Sequence, residues 1–337
     1  MRTWRSAPLV ERPPLRSGLF IFLVIQVAAF GLERFEAVEP HMGTMVRIVG
    51  YASGNAQTRA AFSAAFARVG ELDAILSDYK PDSELNRLCA QRSMVVSADL
   101  FRVLAAAQRI AEESDGAFDI TAGPVIRLWR ETRRTGILPE PAKIDEALAR
   151  TGWRKLTLDA RTRRATLAVP DMQLDVGGIA KGYVAEEAMK TLRQHGMRRA
   201  MVAASGDIVV GDPPPGTAGW DLTLELLDGT RDIQLRNAAV STAGDSEQFV
   251  EIDGTRYSHI LDPKTGRPLT ERIAVSVIAP GGLEADGLDT TICVLGATRG
   301  VELMKRHDKA TALIVTKDGL IVTQANWSGA RLKSPPG

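Results

Sequence analysis

The order of the apolar patterns predicts an α+β fold in a single domain with mixed or antiparallel strands. Helical spacing dominates the first half of the chain, whereas short strand-like runs separated by turn residues dominate the second half. This separation is typical of α+β proteins rather than of a doubly wound sheet. No linker or internal repeat divides the chain after Phe30. The simplest interpretation is one domain over residues 36–330.

Three helices are predicted from apolar stripes and their end signals. The first stripe consists of Phe62, Phe66, Val69, Leu72 and Leu76. The second consists of Leu100, Leu104, Ala107 and Ala111, behind Ser97 as N-cap residue. The third helix covers residues 184–195 and ends at Gly196, a residue type typical of the position after a helix. Short strands are predicted at residues 201–204, 207–210, 220–226, 273–278 and 312–315.

The composition excludes several classes of protein. The 337 residues are 45% hydrophobic and 25% charged, which excludes a wholly disordered or collagen-like chain. The net charge of +1 gives no field that would attract nucleic acid. Cys89 and Cys293 are far apart, and the four histidines form no HExxH motif. The sequence therefore indicates neither a disulfide framework nor a zinc site.

Residues 1–35 predict a signal peptide or a membrane anchor. An apolar run at residues 19–30, broken only by Gln26, follows the arginines Arg2, Arg5, Arg12 and Arg16. The run is short for a spanning helix, which needs about 20 apolar residues, and the small residues 27–29 suit a cleavage site. A buried N-terminal helix is the alternative, but the arginine-only flank argues against it. We expect an exported protein, either periplasmic or tethered to the inner membrane and facing the periplasm.

The segment 285–291 (ADGLDTT) is a candidate site for a hard cation. Asp286, Asp289 and Thr290 stand at i, i+3 and i+4, so on a helix their oxygens face the same way. Such oxygens suit Mg²⁺, which completes its coordination with water and substrate phosphate. The alternative is that the two carboxylates only stabilise the start of a helix by their charge.

The segment 174–183 (LDVGGIAKGY) leads through a glycine turn into the third helix. Glycines permit a close ligand approach, a helix N-terminus favours an anion, and Lys181 adds a positive charge. A phosphate or pyrophosphate could therefore bind here, although the segment matches neither a Walker A loop nor GxGxxG. A tight strand-to-helix turn with a solvated lysine explains the pattern equally well.

Two further segments combine turn residues with reactive side chains. The segment 115–124 (DGAFDITAGP) could present Asp119 to a ligand, or it could simply end a helix after Glu113. The segment 257–266 (YSHILDPKTG) carries His259 among polar residues. A histidine changes charge near neutral pH, so His259 is a natural general base for a hydroxyl nucleophile. A structural, hydrogen-bonded histidine is the alternative.

The order of these segments and their residue sequences resemble those of the ApbE family of flavin transferases, the FAD:protein FMN transferases. Seven ordered blocks between His41 and His307 carry the resemblance: 41–44, 77–79 with 83–85, 115–124 with 128–129, 175–183, 241–245, 258–266 and 285–296. The family is exported or membrane-tethered, which agrees with the reading of residues 1–35. The resemblance also implies the T-fold-like variant of the α+β class.

The resemblance implies that FAD and Mg²⁺ bind together, and that FMN moves from FAD to a Thr or Ser of a partner flavoprotein with release of AMP. The residues implied to line the FAD site are Met42, Tyr79, Ala117, Phe118, Asp119, Asp175, Lys181 and Ile260. The implied metal ligands are Asp286, Asp289, Thr290 and the carbonyl oxygen of Gly178. In this mechanism Mg²⁺ and Lys181 neutralise the pyrophosphate, and His259, or else a nearby aspartate, takes the acceptor proton.

The chain also departs from the family pattern. Ala203, Ser205, Ala243 and Ser246 replace family residues that are polar, glycine or aromatic, and Glu186 replaces an aspartate. Flavin affinity or acceptor choice could therefore differ. The acceptor motif of the family, roughly Ser-Gly-Ala-Thr, is absent from this sequence, so we expect transfer to another protein. The alternatives are hydrolysis of FAD to FMN and AMP at the same site, or an exported flavin carrier without catalysis.

Overall fold

The computed structural model describes residues 31–244, 248–323 and 329–332. The predicted α+β class is confirmed, because helices cover one face of a large antiparallel sheet. The predicted leader lies almost entirely outside the described residues. Among the described residues, no helix is long and apolar enough to cross a membrane. The first strand begins at Glu33, so the fold includes residues 33–35, which the prediction assigned to the leader.

The helices of the described residues are α1 (Asn55–Leu76), α2 (Glu84–Gln91), α3 (Ala98–Glu113), α4 (Gly123–Thr135), α5 (Pro141–Ala149), α6 (Ala180–Gln194) and α7 (Gly282–Met304). The strands are β1 (Glu33–His41), β2 (Thr44–Ala52), β3 (Ser93–Val95), β4 (Leu156–Asp159), β5 (Arg164–Leu167), β6 (Ala200–Ala204), β7 (Asp207–Val210), β8 (Trp220–Leu226), β9 (Gly229–Leu235), β10 (Ala238–Gly244), β11 (Phe249–Ile252), β12 (Thr255–Ser258), β13 (Leu261–Asp262), β14 (Arg267–Pro268), β15 (Ile273–Ala279), β16 (Thr311–Thr316), β17 (Gly319–Val322) and β18 (Ala330–Leu332).

Eight strands form the central sheet in the order β1-β2-β6-β7-β10-β15-β16-β17, with every neighbouring pair antiparallel. Alternate residues of a strand point to opposite faces. In β15, Val275 and Val277 join the core beneath α1, α6 and α7, whereas Ile278 joins the core beneath the small sheet β18-β9-β8. Both faces of the middle strands are therefore buried, whereas the edge strand β17 is exposed, and the molecule has three layers.

The predicted elements are confirmed, with small shifts at their ends. The two apolar stripes are buried, as are Val184, Ala188, Met189 and Leu192 of the third helix. The Ser97 hydroxyl accepts a hydrogen bond from the Leu100 N–H at 3.2 Å. Gly196 has φ +80 after α6. All five predicted strands are present, as β6, β7, β8, β15 and β16. The hairpin β1-β2 escaped prediction because its charged residues obscure an apolar face formed by Phe35 and Ala37.

Two glycines bring the helices of the candidate site into backbone contact. A Cβ atom on Gly182 would lie 2.1 Å from the carbonyl oxygen of Gly282, and one on Gly282 would lie 2.2 Å from the oxygen of Gly182. Only glycine permits this approach. The first turn of α6 therefore lies directly against the first turn of α7.

Candidate active site

The four segments singled out in the sequence come together in the fold. The Asp175 N–H donates to the Ile120 carbonyl at 2.7 Å, which joins the segment before α6 to the 115–124 turn. The Trp129 indole N–H donates to the Gly266 carbonyl at 2.7 Å, which joins α4 to the segment that carries His259. These bonds link residues that are about 50 to 140 positions apart in sequence.

The glycine turn before α6 also meets the predicted metal ligands. A Cβ atom on Gly178 would lie 3.2 Å from Oγ1 of Thr290 and 3.3 Å from Cε2 of Phe118. Gly178 therefore lies between the hydroxyl of α7 and the buried aromatic ring of the 115–124 turn. The lack of a side chain at this position keeps the backbone of the turn close to both groups.

Asp286 stabilises a different helix from the one that the sequence suggested. It lies in the second turn of α7, which begins four residues earlier, at Gly282. Its Oδ2 accepts a hydrogen bond from the Gly182 N–H at 2.8 Å, in the first turn of α6. The Gly182 N–H is thus paired with the Asp286 carboxylate, and the binding of a phosphate or pyrophosphate at this helix start stays a prediction.

A buried charge network surrounds Asp286. The Lys181 Nζ lies 2.8 Å from Oδ2 of Asp207 and 3.8 Å from Oδ1 of Asp286. The Ser241 hydroxyl lies 2.5 Å from Oδ1 of Asp207 and 2.6 Å from Oδ2 of Asp289. Three acidic side chains, Asp207 of β7 and Asp286 and Asp289 of α7, thus surround one lysine and one hydroxyl. The Lys181 side chain is 29% exposed and is paired with Asp207, so it is not simply a solvated lysine.

The pKa values reflect the crowding of negative charge. Burial and the charge of Asp207 raise the pKa of Asp286 to about 7. Burial, followed by the charges of Asp286 and Asp207, raises the pKa of Asp289 well above its ordinary value. Burial alone would lower the pKa of Lys181, but the charges of Asp286 and Asp207 outweigh it and raise that pKa. The lysine therefore stays protonated.

The network has the composition that a divalent cation requires. When ionised, the carboxylates of Asp207, Asp286 and Asp289 carry three negative charges against the single positive charge of Lys181. A bound divalent cation would balance the remainder. In the described part of the chain, no three His, Cys, Asp or Glu side chains are arranged as a ready-made metal cluster. The predicted set differs from such a cluster, because two of its four donors are a hydroxyl and a carbonyl oxygen.

Tyr79 and Asp175, two of the residues expected at the FAD, lie around Arg130. The Tyr79 side chain is 73% exposed. The Arg130 Cζ atom lies 4.6 Å from the centre of its ring. Arg130 also pairs with Asp78, and its Nη2 lies 2.6 Å from Oδ2 of Asp175. Burial and the charge of Asp78 raise the pKa of Asp175, and Arg130 partly offsets the effect.

The other residues predicted to line the FAD site are mostly buried. Ala117, Phe118 and Ile260 are at most 6% exposed, and Met42 is half-buried at φ +50. Oδ1 of Asp119 accepts hydrogen bonds from the N–H and the hydroxyl of Thr121, at 2.8 and 2.6 Å. Its side chain therefore stabilises the 115–124 turn, and a contact between Asp119 and FAD stays a prediction. Burial raises the pKa of Asp119, although the bonds from Thr121 act against this.

His259 is exposed, immediately after β12. Its Nδ1 lies 3.1 Å from the Gln248 carbonyl oxygen. Its chain neighbours Ser258 and Ile260 are buried, and the Ser258 hydroxyl accepts a hydrogen bond from the Ile260 N–H at 3.1 Å. The backbone at His259 is thus anchored on both sides while the imidazole faces solvent, where a macromolecular acceptor could reach it.

Sequence reasoning did not single out Asp207 or Ser241 as site residues. Asp207 is the first residue of an otherwise apolar strand (DIVV), and Ser241 opens one of the seven blocks. A buried carboxylate needs a partner, so this pattern could have identified Asp207. Arg130 could not be identified as a site residue from the sequence, because nothing in α4 distinguishes it from the neighbouring arginines.

The departure at Glu186 has a structural role. Its Oε2 accepts a 3.4 Å hydrogen bond from the Leu283 N–H at the start of α7, and its Oε1 lies 3.2 Å from Arg102. Asp286 of α7 thus stabilises the start of α6, and Glu186 of α6 stabilises the start of α7. Ser205 is exposed at φ +60 between β6 and β7, whereas Ser246 lies outside the described residues.

Comparison with models of protein families shows to which family the chain belongs. The model of the ApbE family matches residues 42–314. The chain belongs to the ApbE family. A FAD:protein FMN transferase from Salmonella typhimurium is 34% identical over 260 residues, which cover 73% of this chain and 74% of the relative. One from Haemophilus influenzae is 33% identical over 278 residues, which cover 78% and 80%.

Solved structures of ApbE proteins show the same fold. The apo form of the flavinyl transferase ApbE from Pseudomonas stutzeri has a TM-score of 0.77 at 31% identity, with 88% of this chain and 95% of that chain covered. The flavin transferase ApbE from Vibrio cholerae has a TM-score of 0.78 at 28% identity, with 88% and 98% covered. The structural match therefore covers nearly the whole length of those two chains.

Proposed function

We propose that this ApbE-family chain is a Mg²⁺-dependent FAD:protein FMN transferase that moves FMN from FAD to a Thr or Ser hydroxyl of a partner flavoprotein and releases AMP. The observation that carries the proposal is the buried set of Asp286 and Asp289 beside Lys181, against the glycine turn. The names of the relatives from Salmonella typhimurium and Haemophilus influenzae support the same reaction. A flavin carrier without catalysis would not need such an acidic set.

The metal in this proposal is Mg²⁺, held by Asp286, Asp289, Thr290 and the Gly178 carbonyl. When bound, Mg²⁺ supplies positive charge that stabilises the developing charge on the pyrophosphate oxygens. Lys181 contributes a second positive charge, since the neighbouring carboxylates keep it protonated. The glycine turn allows the pyrophosphate to approach the backbone closely.

His259 is the general base in this proposal. Its exposed imidazole accepts the proton of the acceptor hydroxyl. The hydroxyl oxygen forms a bond to the phosphorus of the FMN half of FAD, and the bond from that phosphorus to the oxygen of AMP breaks. AMP leaves with the electron pair, so the products are the phosphoester-linked flavoprotein, AMP and a proton.

An intact-mass measurement tests the reaction. Purified protein, FAD and Mg²⁺ are incubated with an acceptor domain that contains the Thr or Ser motif, and with a control domain in which Val replaces the acceptor Thr. We expect one FMN on the first domain, none on the control, and none in EDTA. Release of AMP without labelled acceptor would assign the site to FAD hydrolysis, and the absence of both products would contradict the proposal.

We further propose that the protein is exported and that residues up to about 30 direct export. The arginine-flanked apolar run supports this proposal. Fractionation of cells, with the N-terminal peptide identified by mass spectrometry, tests it. We expect a protein in the periplasmic or inner-membrane fraction, whereas soluble cytoplasmic protein with an intact N-terminus would contradict it.

A further inference from the structure

Tyr79 presents an unusual aromatic surface. It follows α1 by three residues, and its side chain is 73% exposed. One face of the ring is covered by the Arg130 guanidinium, whose Cζ lies 4.6 Å from the ring centre. Because the side chain is mostly exposed, the opposite face is open to solvent. A large aromatic ring in this state is a flat platform on which another ring can stack.

Arg130 is held in place by two carboxylates from separate parts of the chain. Its two terminal nitrogens pair with Asp78, beside the tyrosine, and with Asp175, before the glycine turn. The Arg130 side chain is only 25% exposed, and that of Asp175 is 7% exposed. A planar guanidinium can bond to both carboxylates at once and still lie flat on a ring, whereas a lysine ammonium cannot.

The helix that supplies Arg130 is itself anchored. The neighbouring residue Trp129 is buried, and its indole N–H donates to the Gly266 carbonyl at 2.7 Å. Arg130 therefore connects a fixed helix to the exposed tyrosine and to the segment that leads to the pyrophosphate site. By contrast Arg134, one turn further along α4, pairs only with Glu131 among the described ion pairs and is 72% exposed.

We propose that Arg130 is a positioning residue that holds the Tyr79 ring flat so that an aromatic ring of FAD stacks on its open face. The inference rests on the proposed function, since FAD is its ligand. Arg130 acts through Tyr79 and does not touch the flavin in this arrangement. The guanidinium beneath the ring spares the tyrosine the entropy cost of becoming ordered when FAD binds.

The test measures the Kd for FAD by flavin fluorescence in EDTA, so that no turnover occurs. Arg130→Lys keeps the charge and loses the planar fork, and we expect it to raise the Kd about tenfold, which corresponds to about 1.4 kcal/mol. Arg134→Lys is the matched control on the same helix and should leave the Kd within about twofold. Parallel titrations with FMN and with AMP identify which ring of FAD loses affinity.

A double-mutant cycle separates positioning from a general structural role. In a Tyr79→Leu background, Arg130→Lys should cause no further loss of FAD affinity. An equal loss in both backgrounds, or an unchanged Kd in Arg130→Lys itself, would overturn the inference. If Arg130→Lys does not fold, Asp78→Asn takes its place in the cycle, because it removes one of the two ion pairs that hold Arg130. If the wild type binds FAD but labels no acceptor, the proposed function fails while the cycle still decides the role of Arg130.

Discussion

The acidic network around Asp289 and the exposed surface around Tyr79 and His259 differ in how far the fold fixes them. In the network, carboxylates accept hydrogen bonds from backbone N–H and hydroxyl groups of other elements, and the side chains are buried. On the surface, the Tyr79 ring and the His259 imidazole face solvent. The network is therefore part of the packing of α6 against α7, whereas the surface side chains are held at one side only and leave the other side open to a ligand.

This difference has a consequence for substitutions. A change in the network alters both the chemistry and the free energy of unfolding, because the same atoms serve both. A change on the surface alters affinity or rate and leaves the free energy of unfolding nearly unchanged. The following four predictions use this contrast, in order of decreasing effect.

Asp289→Asn should have the largest effect on the reaction. The loss of a metal ligand removes several kcal/mol of transition-state stabilisation, so we expect AMP release to fall about 10³-fold or more. Without metal, the variant should melt at a higher temperature than the wild type, because the neutral Asn relieves the crowding of negative charge around Asp289. Asp171→Asn, at an exposed turn, is the control. Normal AMP release in Asp289→Asn would contradict the assignment of the ligand.

His259→Asn tests the exposed surface. A general base contributes about 10²- to 10⁴-fold in rate, so we expect turnover to fall at least about a hundredfold, with the Kd for FAD and the melting temperature nearly unchanged. Rates of AMP release at saturating FAD and fluorescence titrations measure the two effects separately. Weaker FAD binding with normal turnover would assign His259 to flavin contact and transfer the role of base to Asp119 or Asp262.

Gly182→Ala tests the packing that supports the network. The added Cβ would lie 2.1 Å from the backbone oxygen of Gly282, so α6 and α7 must separate. We expect the free energy of unfolding to fall by about 2 kcal/mol or more, measured by denaturant titration. Gly54→Ala is the matched control, since no atom lies within 4 Å of the added Cβ. Equal stability of the two variants would show that the close contact is unimportant.

The smallest expected effect is the contribution of His307 to the pH dependence of the free energy of unfolding. Its ring nitrogens lie 2.9 Å from Glu284 and 3.0 Å from Glu113. Burial alone would lower the pKa of His307, but the two glutamates outweigh it and raise the pKa. The stabilisation is therefore complete below the ordinary histidine pKa of about 6.5 and is lost as the pH rises through the raised value.

Denaturant titrations at pH 6 and pH 9 measure this contribution. The wild type should lose about 1 kcal/mol more of its free energy of unfolding over this interval than His307→Gln. An equal loss in both proteins would show that the histidine is not charged in the fold.

The sequence predicts those features of the site that depend on local spacing. Asp286, Asp289 and Thr290 were recognised because helical periodicity places them on one face, and the helix-forming stripes and later strands followed from their apolar patterns. The partner of Asp286 could not be predicted, because the Gly182 N–H is 104 residues away and depends on how α6 crosses α7. The pairing of Arg130 with both Asp78 and Asp175 could not be predicted either, because it brings together three separate segments of the chain.

Thermal melting with Mg²⁺ tests the central claim most directly, because it needs neither the acceptor nor turnover. A ligand that binds only the folded protein raises its melting temperature. We expect Mg²⁺ to raise the melting temperature of the wild type and of His259→Asn by the same amount, and to leave that of Asp289→Asn unchanged. An equal rise in Asp289→Asn would contradict the claim that the buried acidic network is the metal site.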